Sequence, residues 1–276
     1  MKANYHTHLL LCGHAEGMSE DYVKKAIECG FEILGMSDHG PIKPEFMSKE
    51  EFIHHWLERQ MTYEEFLNIY LPDCRNTKEK YKDFIRFFIG VEIEYLPPFH
   101  SYFVKIRNEL DYMNLGLHFY YHDGKLLNSY EDVTYENLYS YGINASLAME
   151  TGLYSIMTHP DLFMYDYKSK DGTDTFDEVC ERTARLIIES SIKNNVYLEI
   201  NVGGIFKALS KNAEVGKSIY PRDEFWKIVS QYPEAKVVIG VDAHKLKDLA
   251  ANEIELAYEF AKKHNIKVFE TVESIG

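Results

Sequence analysis

Three histidines near the start of the sequence have the residue type and spacing of metal ligands. His6 and His8 are separated by one residue, and in an extended strand residues i and i+2 point to the same side of the chain. Their two imidazoles can therefore bind one metal ion, while Thr7 faces the other way. Gly13 allows the chain to turn after the strand, so that His14 can approach the same point. The spacing predicts a metal site at the end of the first strand.

Further histidines and carboxylates occur where predicted strands end. With the first three histidines they form the set His6, His8, His14, His39, Glu92, His118, His159, Asp242 and His244. One tetrahedral ion takes about four protein ligands, so a set of this size predicts more than one ion. Nitrogen and oxygen ligands without a thiolate are typical of Zn²⁺, Mn²⁺ or Fe²⁺ and disfavour Ca²⁺, which prefers oxygen.

Alternating strand and helix patterns must position these ligands. After the strand that carries His6, the predicted strands lie within residues 31–40, 87–95, 113–119, 155–161, 196–201, 236–244 and 266–269. The predicted helices lie within residues 19–30, 48–85 with a break at Pro72 and a second helix at about 77–84, 134–150, 176–194 and 246–263. Repeated strand-then-helix units predict a parallel sheet covered by helices.

A parallel sheet of this kind can close into a barrel or stay open. In a barrel, the loops at the carboxyl ends of the strands converge on one mouth, where such folds place their chemistry. The predicted ligands come from at least six strands, and an open doubly wound sheet would spread them too far apart. We therefore expect an α/β barrel, with residues 203–207 as a loop at its mouth, and the open sheet is the alternative.

Composition limits the classes of partner. The formal net charge of −14 disfavours nucleic acid, because neutralising a phosphate backbone needs a basic surface, but it allows a small phosphorylated substrate beside bound cations. The sequence contains no apolar run of about 18 residues and no basic-then-apolar leader, so we expect a cytoplasmic protein without a membrane segment. The four cysteines form no CxxC pair and are expected to be reduced thiols, of which only Cys12 lies near the first histidines.

Short motifs, taken in order along the chain, resemble the motif set of the polymerase and histidinol phosphatase superfamily. They are His6-Thr7-His8 with His14, Ser37-Asp38-His39, Gly90-Val91-Glu92, His118, Thr158-His159-Pro160 and Gly240-Val241-Asp242-Ala243-His244. The segment Asn201-Val202-Gly203-Gly204-Ile205-Phe206-Lys207, followed by Tyr220-Pro221, resembles the monofunctional histidinol-phosphatase branch. The resemblance covers nearly the whole chain. It implies a distorted (β/α)7 barrel in a single domain over residues 1–276.

The resemblance also implies a centre of three divalent Zn, Mn or Fe ions. The ligands implied are His6, His8, Glu92 and Asp242 for the first ion, Glu92 as a bridge with His118 and His159 for the second, and His14, His39 and His244 for the third. The spacing of Asp242 and His244 leaves open whether these two side chains serve one ion or two.

The reaction implied is hydrolysis of L-histidinol phosphate to L-histidinol and phosphate, a step of histidine biosynthesis. Water coordinated by the ions would attack phosphorus, because coordination lowers its pKa from about 16 towards about 7. Glu92 and Asp242 would be catalytic through the ions they hold. Lys207, where many relatives have an arginine, would bind phosphate as a point charge. Asp161 is a candidate acid for the leaving group or a loop-capping residue, and His122 is a candidate substrate contact.

Other functions stay open on the residues alone. The same centre could act on another small phosphomonoester, a nucleotide or a phosphodiester. Metal sites in barrels also hydrolyse amide bonds, since fold does not fix function. A metal-binding structural protein is the remaining alternative, and the sequence makes no prediction of oligomeric state.

Overall fold

The computed structural model describes residues 1–41, 61–217 and 219–275. The part of the predicted helical stretch that contains His54 and His55 lies outside these residues. The described strands are β1 (Ala3–Asn4), β2 (Ile33–Met36), β3 (Arg86–Ile89), β4 (Glu92–Ile93), β5 (Asn114–Leu115), β6 (Phe119–His122), β7 (Lys125–Asn128), β8 (Ile156–Met157), β9 (Tyr197–Asn201) and β10 (Val237–Gly240). All pair in parallel except β6 and β7, which form an antiparallel hairpin that the sequence did not predict.

Two parallel sheets carry the fold. One has the order β1-β2-β3 and the other has the order β10-β9-β8-β5-β4. The chain passes from the first sheet to the second between β3 and β4. Single parallel bridges, Thr7 to Ala243 and His39 to Glu92, join the sheets near the carboxyl ends of their strands. The predicted mixed α/β fold is confirmed, but no continuous ladder closes a barrel within the described residues.

A buried tyrosine occupies the space between the two sheets. The Tyr112 hydroxyl lies 2.8 Å from the carbonyl oxygen of Tyr5 and 2.9 Å from that of Met36. A side chain at Gly35 or Gly90 would collide with the Tyr112 ring. The ring therefore takes the place of side chains on β2 and at the β3–β4 junction, where the absence of a Cβ is required.

The helices surround these sheets. They are α1 (Ser19–Glu28), α2 (Leu71–Tyr81), α3 (His100–Arg107), α4 (Leu138–Glu150), α5 (Glu178–Asn194), α6 (Val202–Ser210), α7 (Asp223–Val229) and α8 (Glu253–Lys263). The predictions of α1, α4 and α5 are confirmed, with ends that differ by up to four residues. For example, α5 begins after Asp177, whose side chain accepts hydrogen bonds from the backbone of Val179 and Cys180. The last helix begins seven residues later than predicted, because Leu246–Ala250 form a separate 3₁₀ segment before α8. No described helix is long and apolar enough to span a bilayer.

Pro72 does not break its helix, so that prediction was wrong. The chain is helical from Tyr63 onwards, passes through a π-helical turn at Phe66–Tyr70 and continues as α2, with Pro72 in the first turn of α2. A proline in a regular helix removes one hydrogen bond and clashes with the carbonyl four residues earlier. The wider π turn before Pro72 relieves that clash, so the helix continues.

The expected loop at residues 203–207 is instead the first half of α6. Asn201 ends β9 and caps this helix, because its side chain accepts a hydrogen bond of 2.7 Å from the Gly204 N–H. Side chains at Gly203 and Gly204 would collide with Asp242 and Tyr220 respectively. The two glycines thus bring the helix start against a predicted metal ligand. The short strand predicted at 266–269 is reduced to one bridge, Val237 to Val268.

Candidate metal centre

The predicted metal ligands converge at the carboxyl ends of the parallel strands. The members of the set follow β1, β2, β5, β8 and β10 or begin β4. A cavity of about 500 Å³ opens there, and its lining includes His14, His39, Glu92, His118, His159, Asp242 and His244. His6 and His8 are fully buried beside Glu92. Strand ends that lie far apart in sequence therefore bring all nine side chains to one place.

Glu92 lies at the centre of the cluster. The nitrogens within reach of its carboxylate are Nε2 of His159 at 2.9 Å, Nε2 of His6 at 3.4 Å, Nδ1 of His39 at 3.5 Å, Nε2 of His8 at 3.6 Å and Nε2 of His118 at 3.7 Å. Two ligands on a tetrahedral ion with bonds of about 2.1 Å lie about 3.4 Å apart. Most of these separations are too long for good hydrogen bonds but match the spacing of ligands around a small cation.

Asp242 is the second carboxylate of the cluster. Its Oδ1 lies 3.1 Å from Nε2 of His8, 3.5 Å from Nε2 of His6 and 3.4 Å from Nδ1 of His244. Both Asp242, with φ of 55°, and His159, with φ of 30°, adopt left-handed backbone conformations that are rare for residues other than glycine. Such strain persists only where the surrounding structure enforces it, and it is typical of functional sites.

Subsets of these residues have ligand atoms close enough together to share an ion. The subsets are His6, His8 and Glu92; His14, His39 and His244; His39, Glu92 and His118; and His8, Cys12 and His244. The first two fall within the ligand sets implied for the first and third ions. The third contains Glu92 and His118, as implied for the second ion, although with His39 in the place of His159. Burial raises the pKa of the Cys12 thiol, and its Sγ donates a hydrogen bond of 3.2 Å to the carbonyl oxygen of Leu9, and both favour the neutral thiol over a metal ligand.

The pKa values of the clustered groups shift in both directions. Burial opposes the charged forms of His8 and His118, but neighbouring carboxylates outweigh it and raise the pKa of His8 to about 9 and that of His118 above its usual value. Burial lowers the pKa of four imidazoles, those of His14, His39, His159 and His244. They are therefore in the neutral form that binds metal. Burial also opposes the charged forms of His6 and Glu92. The carboxylates of Glu199, Glu92 and Asp242 outweigh it and raise the pKa of His6 well above its usual value, while nearby imidazoles hold the pKa of Glu92 well below. The carboxylates thus attract positive charge into the cluster, which a metal ion can supply.

Several buried nitrogens at this point have no hydrogen-bond partner among the described residues. They include Nε2 of His6, both ring nitrogens of His8 and Nδ1 of His159. An unpaired buried polar group costs about 1–3 kcal/mol. Metal coordination would satisfy the His6 and His8 nitrogens that face the carboxylates. The donor set and its unpaired atoms therefore fit divalent cations.

Outer partners orient the imidazoles. Nδ1 of His6 lies 2.9 and 3.0 Å from the two oxygens of Glu199, and Nδ1 of His118 lies 2.8 Å from Oε1 of Glu94. A proton on Nδ1 that is shared with a carboxylate leaves the lone pair of Nε2 directed at the cluster. Glu199 is not among the ligands predicted from the sequence. The available signal was a carboxylate in the middle of an apolar strand, since β9 is buried throughout.

Lys207 lies on α6 and lines the same cavity. Its Nζ donates a hydrogen bond of 2.7 Å to the Tyr220 hydroxyl, and the Tyr220 ring centre lies 5.7 Å from that of His159. Burial lowers the pKa of this amine, but Tyr130, Asp242 and Glu92 outweigh it and raise the pKa above the usual value. Lys207 is therefore a fixed positive charge beside the cluster.

The contacts of Asp161 favour the loop-capping role over the acid role. Asp161 is buried, and its Oδ2 accepts hydrogen bonds from the Arg222 N–H at 2.6 Å and from Nε1 of Trp226 at 3.1 Å. Burial raises its pKa to about 7. Its side chain is not part of the cavity lining, so no contact links it to a leaving group. It instead holds the segment after Tyr220 in place.

His122 also lies apart from the cavity. It ends β6 on the hairpin, and its Nδ1 lies 2.9 Å from the Ser140 hydroxyl. It is absent from the cavity lining, so the expected substrate contact has no support in the geometry. The hairpin was not predicted from the sequence, and it carries His122 away from the strand end at His118.

Comparisons with known proteins find relatives that are similar over most of this chain. The "Probable histidinol-phosphatase" of Schizosaccharomyces pombe is 23% identical over 290 residues, 96% of this chain and 86% of that protein. The "Histidinol-phosphatase" of Bacillus subtilis is 22% identical over 279 residues, 94% of this chain and 97% of that protein. A solved structure of histidinol phosphate phosphatase from Lactococcus lactis, in complex with Zn, L-histidinol and phosphate, has a TM-score of 0.67 at 16% identity, covering 99% of this chain and 97% of that one.

The family assignment comes from a domain match. The PHP domain pattern matches residues 4–203, well over half of the chain. The matched range contains seven of the nine clustered side chains, from His6 to His159, while Asp242 and His244 reach the same cavity from beyond it. The chain therefore belongs to the PHP domain family.

Proposed function

We propose that this protein is a histidinol-phosphatase, a metal-dependent phosphomonoester hydrolase that converts L-histidinol phosphate to L-histidinol and phosphate. The observation that carries the proposal is Glu92 surrounded by imidazoles in a cavity that also contains Lys207. The names of the relatives from S. pombe, B. subtilis and L. lactis support the same substrate. A cavity of about 500 Å³ has the size of a small-molecule site.

We further propose three divalent ions, Zn, Mn or Fe, held by the nine clustered side chains. His6, His8, Glu92 and Asp242 would hold the first, Glu92 with His118 and His159 the second, and His14, His39 and His244 the third. Divalent cations supply, when bound, positive charge for phosphoryl oxygens and a water of lowered pKa.

The chain's own residues have three tasks in this reaction. Lys207 pairs its charge with the phosphoryl oxygens, and Tyr220 fixes the amine by accepting its hydrogen bond. Thr158 donates a hydrogen bond of 2.6 Å to Oε1 of Glu92 and so fixes the central carboxylate. Asp161 holds the segment after Tyr220, which keeps the Tyr220 hydroxyl beside Lys207.

We also propose that the chain is one domain over residues 1–276, a distorted (β/α)7 barrel located in the cytoplasm. The bridges Thr7 to Ala243 and His39 to Glu92 support the barrel, because they place the two sheets side by side at both junctions.

Replacing Glu199 by Gln is expected to weaken metal binding about 10–100-fold, because the loss of an outer partner leaves a ligand less basic and less well oriented. An amide cannot offer two negative oxygens to Nδ1 of His6. The metal affinity is measured by titrating metal into chelator-treated protein, with the recovery of activity as the readout. The exposed Glu136→Gln variant is the charge-matched control. If the Glu199→Gln and Glu136→Gln variants bind metal with equal affinity, Glu199 does not contribute to the metal site.

A rate comparison tests the proposed activity. We would measure kcat/KM for L-histidinol phosphate, an aryl phosphate, a phosphodiester and an acylated amino acid, each with Mn²⁺ or Zn²⁺. The histidinol ester is expected to be the best substrate. If it were no better than the aryl phosphate, the histidinol-phosphatase proposal would fail. Preference for the diester or the amide would instead favour one of the other metal-dependent hydrolases.

A further inference from the structure

We propose that Glu131 binds the ammonium group of the substrate and thereby selects amino alcohol phosphates over other phosphate esters. The inference rests on the proposed function, because the ammonium belongs to L-histidinol phosphate. In that substrate the ammonium is attached to the carbon next to the esterified one. A group that recognises it must therefore share the cavity with the candidate metal ligands, and Glu131 lines that cavity.

The other carboxylates of the cavity are already engaged. Glu92 and Asp242 lie among the imidazoles of the metal cluster. Asp248 accepts hydrogen bonds from the backbone N–H groups of His244 at 3.1 Å and Lys245 at 2.8 Å. Glu131 is exposed, and no described residue forms an ion pair with its carboxylate. It is therefore the lining carboxylate left to bind a cation from the substrate.

The turn that carries Glu131 is held firmly against a candidate metal ligand. The backbone N–H of Ser129 donates a hydrogen bond of 2.8 Å to the carbonyl oxygen of His118, and the Ser129 hydroxyl donates one of 2.7 Å to that of Leu117. Asn128 Oδ1 accepts a hydrogen bond of 2.9 Å from the Tyr130 N–H. These bonds fix the position of the Glu131 backbone relative to His118, which reduces the entropy lost on binding.

The charges in the cavity determine the orientation in which the substrate binds. Tyr130, the residue before Glu131, stacks on His118 with ring centres 6.0 Å apart, and its ring centre lies 5.9 Å from Nζ of Lys207. Lys207 and the cations would attract the phosphoryl group. A carboxylate in the same cavity would repel that group, so its presence is favourable only for a substrate that also carries a positive charge.

The test is a Glu131→Gln variant assayed on two substrates. One is L-histidinol phosphate, and the other is the phosphate ester of 3-(imidazol-4-yl)propanol, which lacks the amine. Loss of a charge-assisted hydrogen bond is expected to lower kcat/KM for L-histidinol phosphate about 10–100-fold, mainly through KM. The variant is expected to hydrolyse the ester without the amine as well as the wild type does. Glu136→Gln is the control, since Glu136 is an exposed glutamate that does not line the cavity.

Each contrary outcome has a separate meaning. An equal loss on both substrates would overturn the ammonium assignment while leaving the proposed function intact. A further substrate, 2-aminopropyl phosphate, has the amine but lacks the imidazole. If the Glu131→Gln variant loses kcat/KM on the ester without the amine but not on 2-aminopropyl phosphate, Glu131 binds the imidazole ring, and the ammonium assignment is again overturned. Wild-type protein that does not prefer L-histidinol phosphate to an aryl phosphate would refute the proposed function itself, before any variant is compared. Glu131 is exposed, so the substitution leaves the core unchanged.

Discussion

Replacing Glu92 by Gln is expected to lower kcat/KM by at least about a thousandfold, because the proposed bridging ligand becomes neutral. The Glu92 carboxylate lies within 3.7 Å of ring nitrogens from five histidines, and it is buried. An amide has one oxygen and would direct an NH₂ group at nitrogens that need a negative partner. We expect bound metal per chain to fall with activity, as measured by elemental analysis of the same sample.

Two controls separate this effect from misfolding. The Glu92→Gln variant should keep the circular dichroism spectrum of the wild type, because glutamine has nearly the same shape. The exposed Glu136→Gln variant should retain normal activity. Near-normal turnover by a folded Glu92→Gln variant would contradict the site as described.

Removing divalent metal with a chelator is expected to abolish turnover and to lower Tm by about 10 °C. An ion present at about a thousand times its Kd stabilises the fold by about 4 kcal/mol, and each kcal/mol shifts the Tm of a chain near this size by about 2–4 °C. Without ions, His6 and His8 keep buried nitrogens unpaired. Adding Zn²⁺ or Mn²⁺ back should restore both quantities.

The control for this experiment is chelator that has been saturated with zinc beforehand. It leaves the ions in place, so it should change neither activity nor Tm. Full activity after exhaustive chelation, with an unchanged Tm, would show that the cluster works without metal and would contradict the proposed mechanism.

The candidate ligands were accessible from the sequence because local rules place them. Period two in an extended segment puts His6 and His8 on one side, and the end of an apolar run marks His39 and His159. Glu199 escaped notice because its role depends on a contact with His6, which is 193 residues away in sequence. No local sequence pattern reveals a contact between two residues that are so far apart in the chain.

The fold was predictable to the level of an α/β arrangement, and the misses come from tertiary contacts that local sequence patterns do not report. The helix over residues 202–210 starts with Val202-Gly203-Gly204, which resembles a loop because glycine disfavours helix. Contact with Asp242 and Tyr220 requires those glycines and outweighs the propensity. The two sheets are joined by single bridges and by contacts of Tyr112, and side chains that act between sheets leave no periodic signal in the sequence.

The most direct test of the central claim is the number of metal ions bound to each chain. Elemental analysis of protein purified without added metal, and again after saturation with Mn²⁺ or Zn²⁺ and removal of the excess, measures it. We predict three divalent ions per chain after saturation, with the count reduced in the Glu92→Gln variant. Less than one ion per chain in saturated, folded wild-type protein would contradict the claim that these nine side chains hold a metal centre.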